Sequence, residues 1–275
     1  KFMIKQLENQ LRNVRNATKE NSPLIHCITN PISMNDCANA VLALGAKPIM
    51  AQHPMECEQI TACSKALALN LGNFDDSRAI AMKKSLHCAN ENGIPVIVDM
   101  VGAGCSDLRE AFAEKLLHEG KFSIIKGNLS ELKAVSGRDS HALGIDVGDD
   151  DREAPAKSAE WLAELARKYG TTVLCSGEVD ILTDGKQIYF VENGDSMMTL
   201  CTGTGCMLNV IAAAFLSVTE TALDAALAAC ITFELAAEKS VSITEGPGSF
   251  HASLFDSLYE INALDFAKAR IRREL

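Results

Sequence analysis

Short apolar runs alternate with helix-periodic segments through the first two thirds of this 275-residue chain. Runs at 24–29, 47–51, 66–72, 95–100, 123–127 and 172–176 are continuously apolar rather than alternating. That is the pattern of strands covered on both faces. Segments 34–44, 76–92, 107–119 and 154–169 between them carry helical periodicity. Repeated strand–helix units predict right-handed crossovers and a largely parallel sheet. Residues 180–191 differ: two runs joined by Asp184-Gly185 predict a β-hairpin. Beyond residue 206 the chain reads as almost wholly helical, through an apolar helix at 207–216 and further helices at 221–241 and 250–270. The predicted fold class is α/β, a three-layer α/β/α sandwich with a mostly parallel central sheet. Ligands of such sheets bind at the carboxyl ends of the strands.

Composition narrows the picture. At 47% hydrophobic the chain can bury one large core. No Pro/Ser-rich linker, repeat or low-complexity stretch divides it, so residues 1–275 are expected to form a single domain. The formal charge of -10 argues against nucleic acid, since Arg270-Ile271-Arg272-Arg273 is only a short basic tail. The longest apolar stretch, 210–218, is too short to span a bilayer, and residues 1–20 are polar without a signal-peptide core. A cytoplasmic location is expected. The ten cysteines contain no CxxC pair and lie mostly in apolar segments, the usage of reduced cysteines as small hydrophobes. Neither they nor the six histidines show zinc spacing, and His26 in its predicted strand reads as a satisfied core histidine.

Candidate chemistry starts at Thr202-Gly203-Thr204-Gly205-Cys206, immediately before the apolar helix. The first turn of a helix has amide N–H groups without intrahelical partners, and its dipole makes that end electropositive. Glycines keep side chains clear so that an anion approaches those amides. The segment reads as an anion hole for a transferring phosphoryl group, with Cys206 beside the anion; a glycine turn ahead of a core helix is the bland alternative. Two carboxylates fall at predicted strand ends. Asp99 precedes Val101-Gly102-Ala103-Gly104, and Glu131 follows Lys126-Gly127-Asn128. Magnesium takes one or two carboxylates plus waters and substrate phosphates, which suits this pair. Asn128-x-x-Glu131 equally fits a capping box, and Asp99 a helix-capping aspartate.

Other segments are less specific. Ser176-Gly177-Glu178-Val179-Asp180 suits a nucleotide pocket or an ordinary turn. In Glu245-Gly246-Pro247-Gly248-Ser249-Phe250 the glycines admit a ligand, or Ser249 is a helix N-cap. Asp149-Asp150-Asp151 reads as a solvated loop. No GxxxxGK[ST] loop occurs, and Gly102-Ala103-Gly104 lacks the third glycine of a dinucleotide fingerprint.

Together these segments resemble the hydroxyethylthiazole kinases of the ribokinase-like superfamily. The matching stretches are 28–36, 46–51, 99–104, 126–131, 176–180, 202–207 and 246–250, in order and over nearly the whole chain. The resemblance implies a ribokinase-like fold and transfer of the ATP γ-phosphoryl to the hydroxyl of 4-methyl-5-(2-hydroxyethyl)thiazole. It also implies Mg2+ and a homotrimer with thiazole sites at subunit boundaries. By position, Met50 and Gly203 would contact the thiazole with Asn30 nearby. Lys126, Ser176 and Gly205 would serve ATP, Asp99 and Glu131 the metal and phosphates, and Cys206 would sit where the phosphoryl moves. Three positions depart from the family pattern: Met100 replaces proline, Ser176 replaces threonine, and Lys126 replaces an arginine whose bidentate fork lysine lacks. Many sugar-kinase relatives have an aspartate acting as base where Cys206 stands; a helix N-terminus lowers a cysteine pKa, ATP opposes this, and Cys206 is expected to be a modest base or mainly a shape element. Competing readings are a dehydratase that repairs hydrated nicotinamide cofactors, a kinase for another small alcohol, and a non-catalytic thiazole or nucleotide sensor.

Overall fold

A computed structural model describes residues 2–138 and 155–274. The run Asp149-Asp150-Asp151 and the start of the helix expected at 154–169 lie outside the described residues.

Among the described residues nine strands form one sheet in the order β2-β1-β3-β4-β5-β6-β7-β8-β9. β1 (Leu24–Ile28), β2 (Lys47–Ile49), β3 (Ala66–Asn70), β4 (Val96–Asp99), β5 (Ile124–Asn128) and β6 (Thr172–Ser176) run parallel. β7 (Asp180–Thr183) and β8 (Ile188–Val191) form the expected hairpin, with Gly185 at φ +86° in its turn. The left-handed region costs glycine least, and a side chain at Gly185 would strike Arg167.

Helices cover both faces. One layer holds α1 (Phe2–Asn21), α2 (Met34–Ala43), α8 (Thr204–Leu216), α9 (Ala222–Val241), α10 (Pro247–Glu260) and α11 (Ala263–Phe266). The other holds α3 (Cys57–Cys63), α4 (Asp76–Glu91), α5 (Asp107–Glu119), α6 (Leu129–Ser136) and α7 (Pro155–Tyr169). α8 is buried from Cys206 to Leu216 with no polar face, because it is sandwiched between the sheet and its neighbouring helices. Among the described residues no helix is long and apolar enough to cross a membrane.

The strand pleat sorts side chains between the two layers. Ala66 and Ala68, Ile97, Ile124 and Leu174 face the layer that holds α8 and α9, whereas Leu67 and Leu69, Val96 and Val98, Ile125 and Val173 face the other core. Side chains two apart share a face. Asn70, Asp99, Lys126 and Ser176 therefore continue the rows facing the α8–α9 layer at the carboxyl ends of β3 to β6.

The C-terminal expectation fails. The segment expected as one helix over 250–270 is α10, then α11, and β9 (Ile271–Glu274) follows, antiparallel to β8. The basic tail is thus a sheet strand: Arg272 lies over the Phe190 ring at 3.8 Å and Arg273 over Tyr189 at 5.6 Å. Such cross-strand contacts stabilise pairing where composition alone gives no strand signal. Ser249 is also not an N-cap: α10 begins at Pro247, and the Ser249 hydroxyl accepts from the Gly246 N–H within the first turn.

Candidate active site

Register brings Asn70, Asp99 and Lys126 side by side on three adjacent strands. Lys126 Nζ donates to Asp99 Oδ1 at 3.1 Å, and both side chains are almost fully buried. Asn70 Nδ2 donates to Asp99 Oδ2 at 3.2 Å and to Cys206 Sγ at 3.3 Å. Asn30, just beyond β1, donates to the same sulfur at 3.1 Å and to Asn70 Oδ1 at 3.1 Å. Asn30, Asp99, Lys126 and Cys206 thus converge, and Asn70 joins them.

The N-terminus of α8 opens onto this cluster. Its N-cap is Gly203 at φ +88°, with no capping side chain, and the first intrahelical bond runs from Met207 N–H to Gly203 O. The Thr204, Gly205 and Cys206 N–H groups consequently have no intrahelical acceptor. Gly205 is exposed, and a Cβ there would lie 3.5 Å from Lys126 Nζ. At Gly203 a Cβ would come within 2.8 Å of Ser33 Cβ, so only glycine lets the α2 entry loop pack against this turn.

Glu131 closes the side facing α6. The capping box forms: Asn128 Oδ1 accepts from Glu131 N–H at 2.9 Å, and Glu131 Oε2 accepts from Asn128 N–H at 2.8 Å. Its other oxygen accepts from Gly102 N–H at 2.8 Å, tying the ends of β4 and β5 together. Ser176 is half-buried and pairs in register with Asn128, while Gly177 N–H donates to Asp180 Oδ1 in the turn that follows. Met50 is half-buried just past β2, packed on the α8-side core. His26 is a satisfied core histidine, its Nε2 2.8 Å from Ala51 O and its Nδ1 2.8 Å from Thr61 Oγ1.

Electrostatics follow from burial and like charge. Burial opposes the charge on Lys126, but Asp99, Glu131 and Cys206 outweigh it and hold the ammonium protonated. Burial raises Asp99 despite Lys126. Burial, then the nearby Asp99 charge, pushes Glu131 up to about 7 against the Gly102 and Asn128 amides. Cys206 is raised by burial and then by Asp99, so it rests as a neutral thiol even though Ser33 and Asn30 hydrogen bonds favour the thiolate.

Among the described residues no group of three or more His, Cys, Asp or Glu side chains is arranged to hold a metal ion. Mg2+ does not need one, because phosphates and waters complete its shell around one or two carboxylates. Asp99 lies near enough to raise Glu131, and each carboxylate oxygen keeps a lone pair beyond the one hydrogen bond it accepts, so the chemistry of this pair is compatible with such an ion.

The sequence matches the pattern of the Hydroxyethylthiazole kinase family over residues 16–263. The chain belongs to the hydroxyethylthiazole kinase family. It is 43% identical over 252 residues to hydroxyethylthiazole kinase 2 of Clostridium botulinum, covering 90% of this chain and 94% of that protein. The fold is similar to that of a hydroxyethylthiazole kinase protein from Pyrococcus horikoshii OT3, with TM-score 0.88, 34% identity, and 96% and 99% of the two chains covered. A ribokinase-like superfamily protein from Enterococcus faecalis shares the fold alone, at TM-score 0.61 and 13% identity over 89% of each chain. The family's three-layer, mostly parallel architecture is thus the one the apolar runs predict.

Sequence reasoning missed Asn70, which lies at the heart of the hydrogen-bond network. Its signal was available: within Ala66-Leu67-Ala68-Leu69-Asn70 it shares the pleat phase of two small residues that admit a close helix.

Proposed function

We propose that this chain, acting as one domain in the cytoplasm, transfers the γ-phosphoryl of ATP to the hydroxyl of 4-methyl-5-(2-hydroxyethyl)thiazole, yielding the thiazole phosphate used for thiamine diphosphate. The observation carrying this reading is the meeting of the uncapped α8 N-terminus with Asp99 and Lys126. Phosphoryl transfer has a loose transition state, so positioning and charge neutralisation dominate over removal of the hydroxyl proton. The Thr204–Cys206 amides receive the charge on the moving group, and Lys126 supplies a cation beside Gly205. Asp99 and Glu131 would hold Mg2+, which neutralises the phosphate charge when bound. Ser176 serves ATP, whereas Met50, Gly203 and Asn30 serve the thiazole. Cys206, a neutral thiol lining the hole, acts mainly through shape.

A homotrimer with thiazole sites at subunit boundaries forms part of this reading. Ile32, Met55 and Leu200 are large, exposed apolar side chains in the segments that carry Asn30, Met50 and Gly203, the composition of a surface awaiting a partner. Light scattering should give three times the chain mass; a monomer that turns over at full rate would refute the shared site.

The activity is tested by incubating the protein with ATP, Mg2+ and the thiazole alcohol and reading products by mass spectrometry. The thiazole phosphate ester is expected. ATP consumption without ester, or preferential phosphorylation of a sugar or pyrimidine alcohol, would overturn the assignment.

A further inference from the structure

Asn70 is the last residue of β3 and is completely buried. Its amide orientation is set by the backbone: Gly72 N–H can only donate, and it reaches Asn70 Oδ1 at 2.9 Å. The oxygen end is therefore known, and the two Nδ2 protons point at Asp99 Oδ2 and Cys206 Sγ. Asn30 is fixed in the same way. Ser33 N–H donates to Asn30 Oδ1 at 3.1 Å, leaving Asn30 Nδ2 for Asn70 Oδ1 and Cys206 Sγ. Every amide proton of the pair has an acceptor, and two of the four converge on one sulfur. A Cβ at Gly72 would lie 3.0 Å from Asn70 Oδ1 and 3.1 Å from Asn30 Nδ2, so the chain crossing this network has no room for a side chain.

We propose that Asn70 is a positioning residue for phosphoryl transfer, setting the Asp99 carboxylate relative to the Cys206 thiol at the anion hole. Two N–H donors occupy the sulfur on the amide side, which fixes the thiol rotamer and turns its S–H away from Asn30 and Asn70. Asp99 is held between Lys126 on Oδ1 and Asn70 on Oδ2, which sets the plane of the carboxylate. Asn70 acts through these two groups, and a misplacement of about 1 Å between them is enough to cost about 10²-fold in rate. The inference rests on the assignment of Asp99 and Cys206 to the transfer site.

The test is steady-state kinetics with Mg-ATP and the thiazole alcohol on Asn70→Asp, Asn70→Ser, Cys206→Ala, the Asn70→Ser/Cys206→Ala pair and Asp99→Asn, with a melting curve for each. Asn70→Asp keeps the acceptor for Gly72 but removes both donors; Asn70→Ser, small and uncharged, carries the test if the core rejects a second carboxylate. The expected result is a kcat loss of about 10²-fold with both KM values within about 3-fold of the parent. In the Cys206→Ala background the serine substitution should cost at least about 5-fold less, because one of its two partners is already gone. A kcat within about 3-fold of the parent, a loss confined to KM, or strictly multiplicative effects would overturn the proposal. Asp99→Asn separates the layers. If it keeps turnover, the site assignment fails; if it abolishes turnover while both Asn70 variants work normally, the Asn70 inference alone fails.

Discussion

The C-terminal ends of α2 and α10 and the N-terminal end of α8 meet opposite fates. Arg15 of α1 is buried against both C-terminal ends, donating to Ala43 O and Leu44 O of α2 and to Leu258 O and Tyr259 O of α10. A permanent cation there satisfies orphan carbonyls and complements the negative ends of two dipoles. Burial lowers the Arg15 pKa, so the carbonyl cage works against a desolvation cost. At α8 the polarity is reversed and nothing built in closes the end: Gly203 brings no side chain and Gly205 faces solvent. A helix end sealed by its own charge is structural. One kept open by glycine, with Lys126 held alongside by Asp99, suits the proposed role of receiving an anion that arrives and leaves.

Substitutions can break that contrast. Gly205→Val places methyl groups beside Lys126 Nζ and over the amides, and kcat is expected to fall by more than about 10²-fold, as read by thiazole phosphate formation. Cys206→Ala keeps the amides and removes only the thiol, so a loss of no more than about 10²-fold is expected in the same assay; the reverse order would refute an amide-centred site. Arg15→Gln should lower unfolding free energy by about 2 kcal/mol in urea melts while leaving kcat within about twofold, because the lost hydrogen bonds lie at the far ends of α2 and α10. A turnover defect with unchanged stability would erase the distinction between sealed and open helix ends.

A smaller effect concerns a buried carboxyl at the start of β7. Burial pushes Asp180 up to about 6, although the Gly177 amide, the Cys230 thiol and Lys126 pull the other way. The carboxyl of the unfolded chain ionises near its ordinary value of about 4. Its contribution to stability is therefore full below about pH 4 and is lost as pH rises through about 6. Asp180→Asn should gain about 1–2 kcal/mol more at pH 7.5 than at pH 4 in denaturant melts. An equal gain at both pH values would show that Asp180 is not held in its raised state.

The parallel half of the sheet was legible because strands buried on both faces must be continuously apolar, and the glycine turn because backbone geometry demands glycine there. Asp99 and Glu131 stood out as charges at strand ends. Asn70 did not, because its importance arises from pleat phase and register, which align it with Asp99 only once the strands pair. β9 was hidden by composition: arginines that read as a tail or a helix end become strand residues by lying on Phe190 and Tyr189. α1 is hard to read from sequence because its buried stripe of Leu11, Val14, Arg15 and Thr18, at helical spacing, includes an arginine and a threonine.

The most direct test is a crystal structure with ADP, Mg2+, aluminium fluoride and the thiazole alcohol, which together mimic the phosphoryl group in flight. The fluoride ligands are predicted within hydrogen-bond distance of the Gly205 and Cys206 amides, with Lys126 Nζ alongside. Fluorides bound away from residues 204–206, with the α8 amides still facing water, would contradict the account.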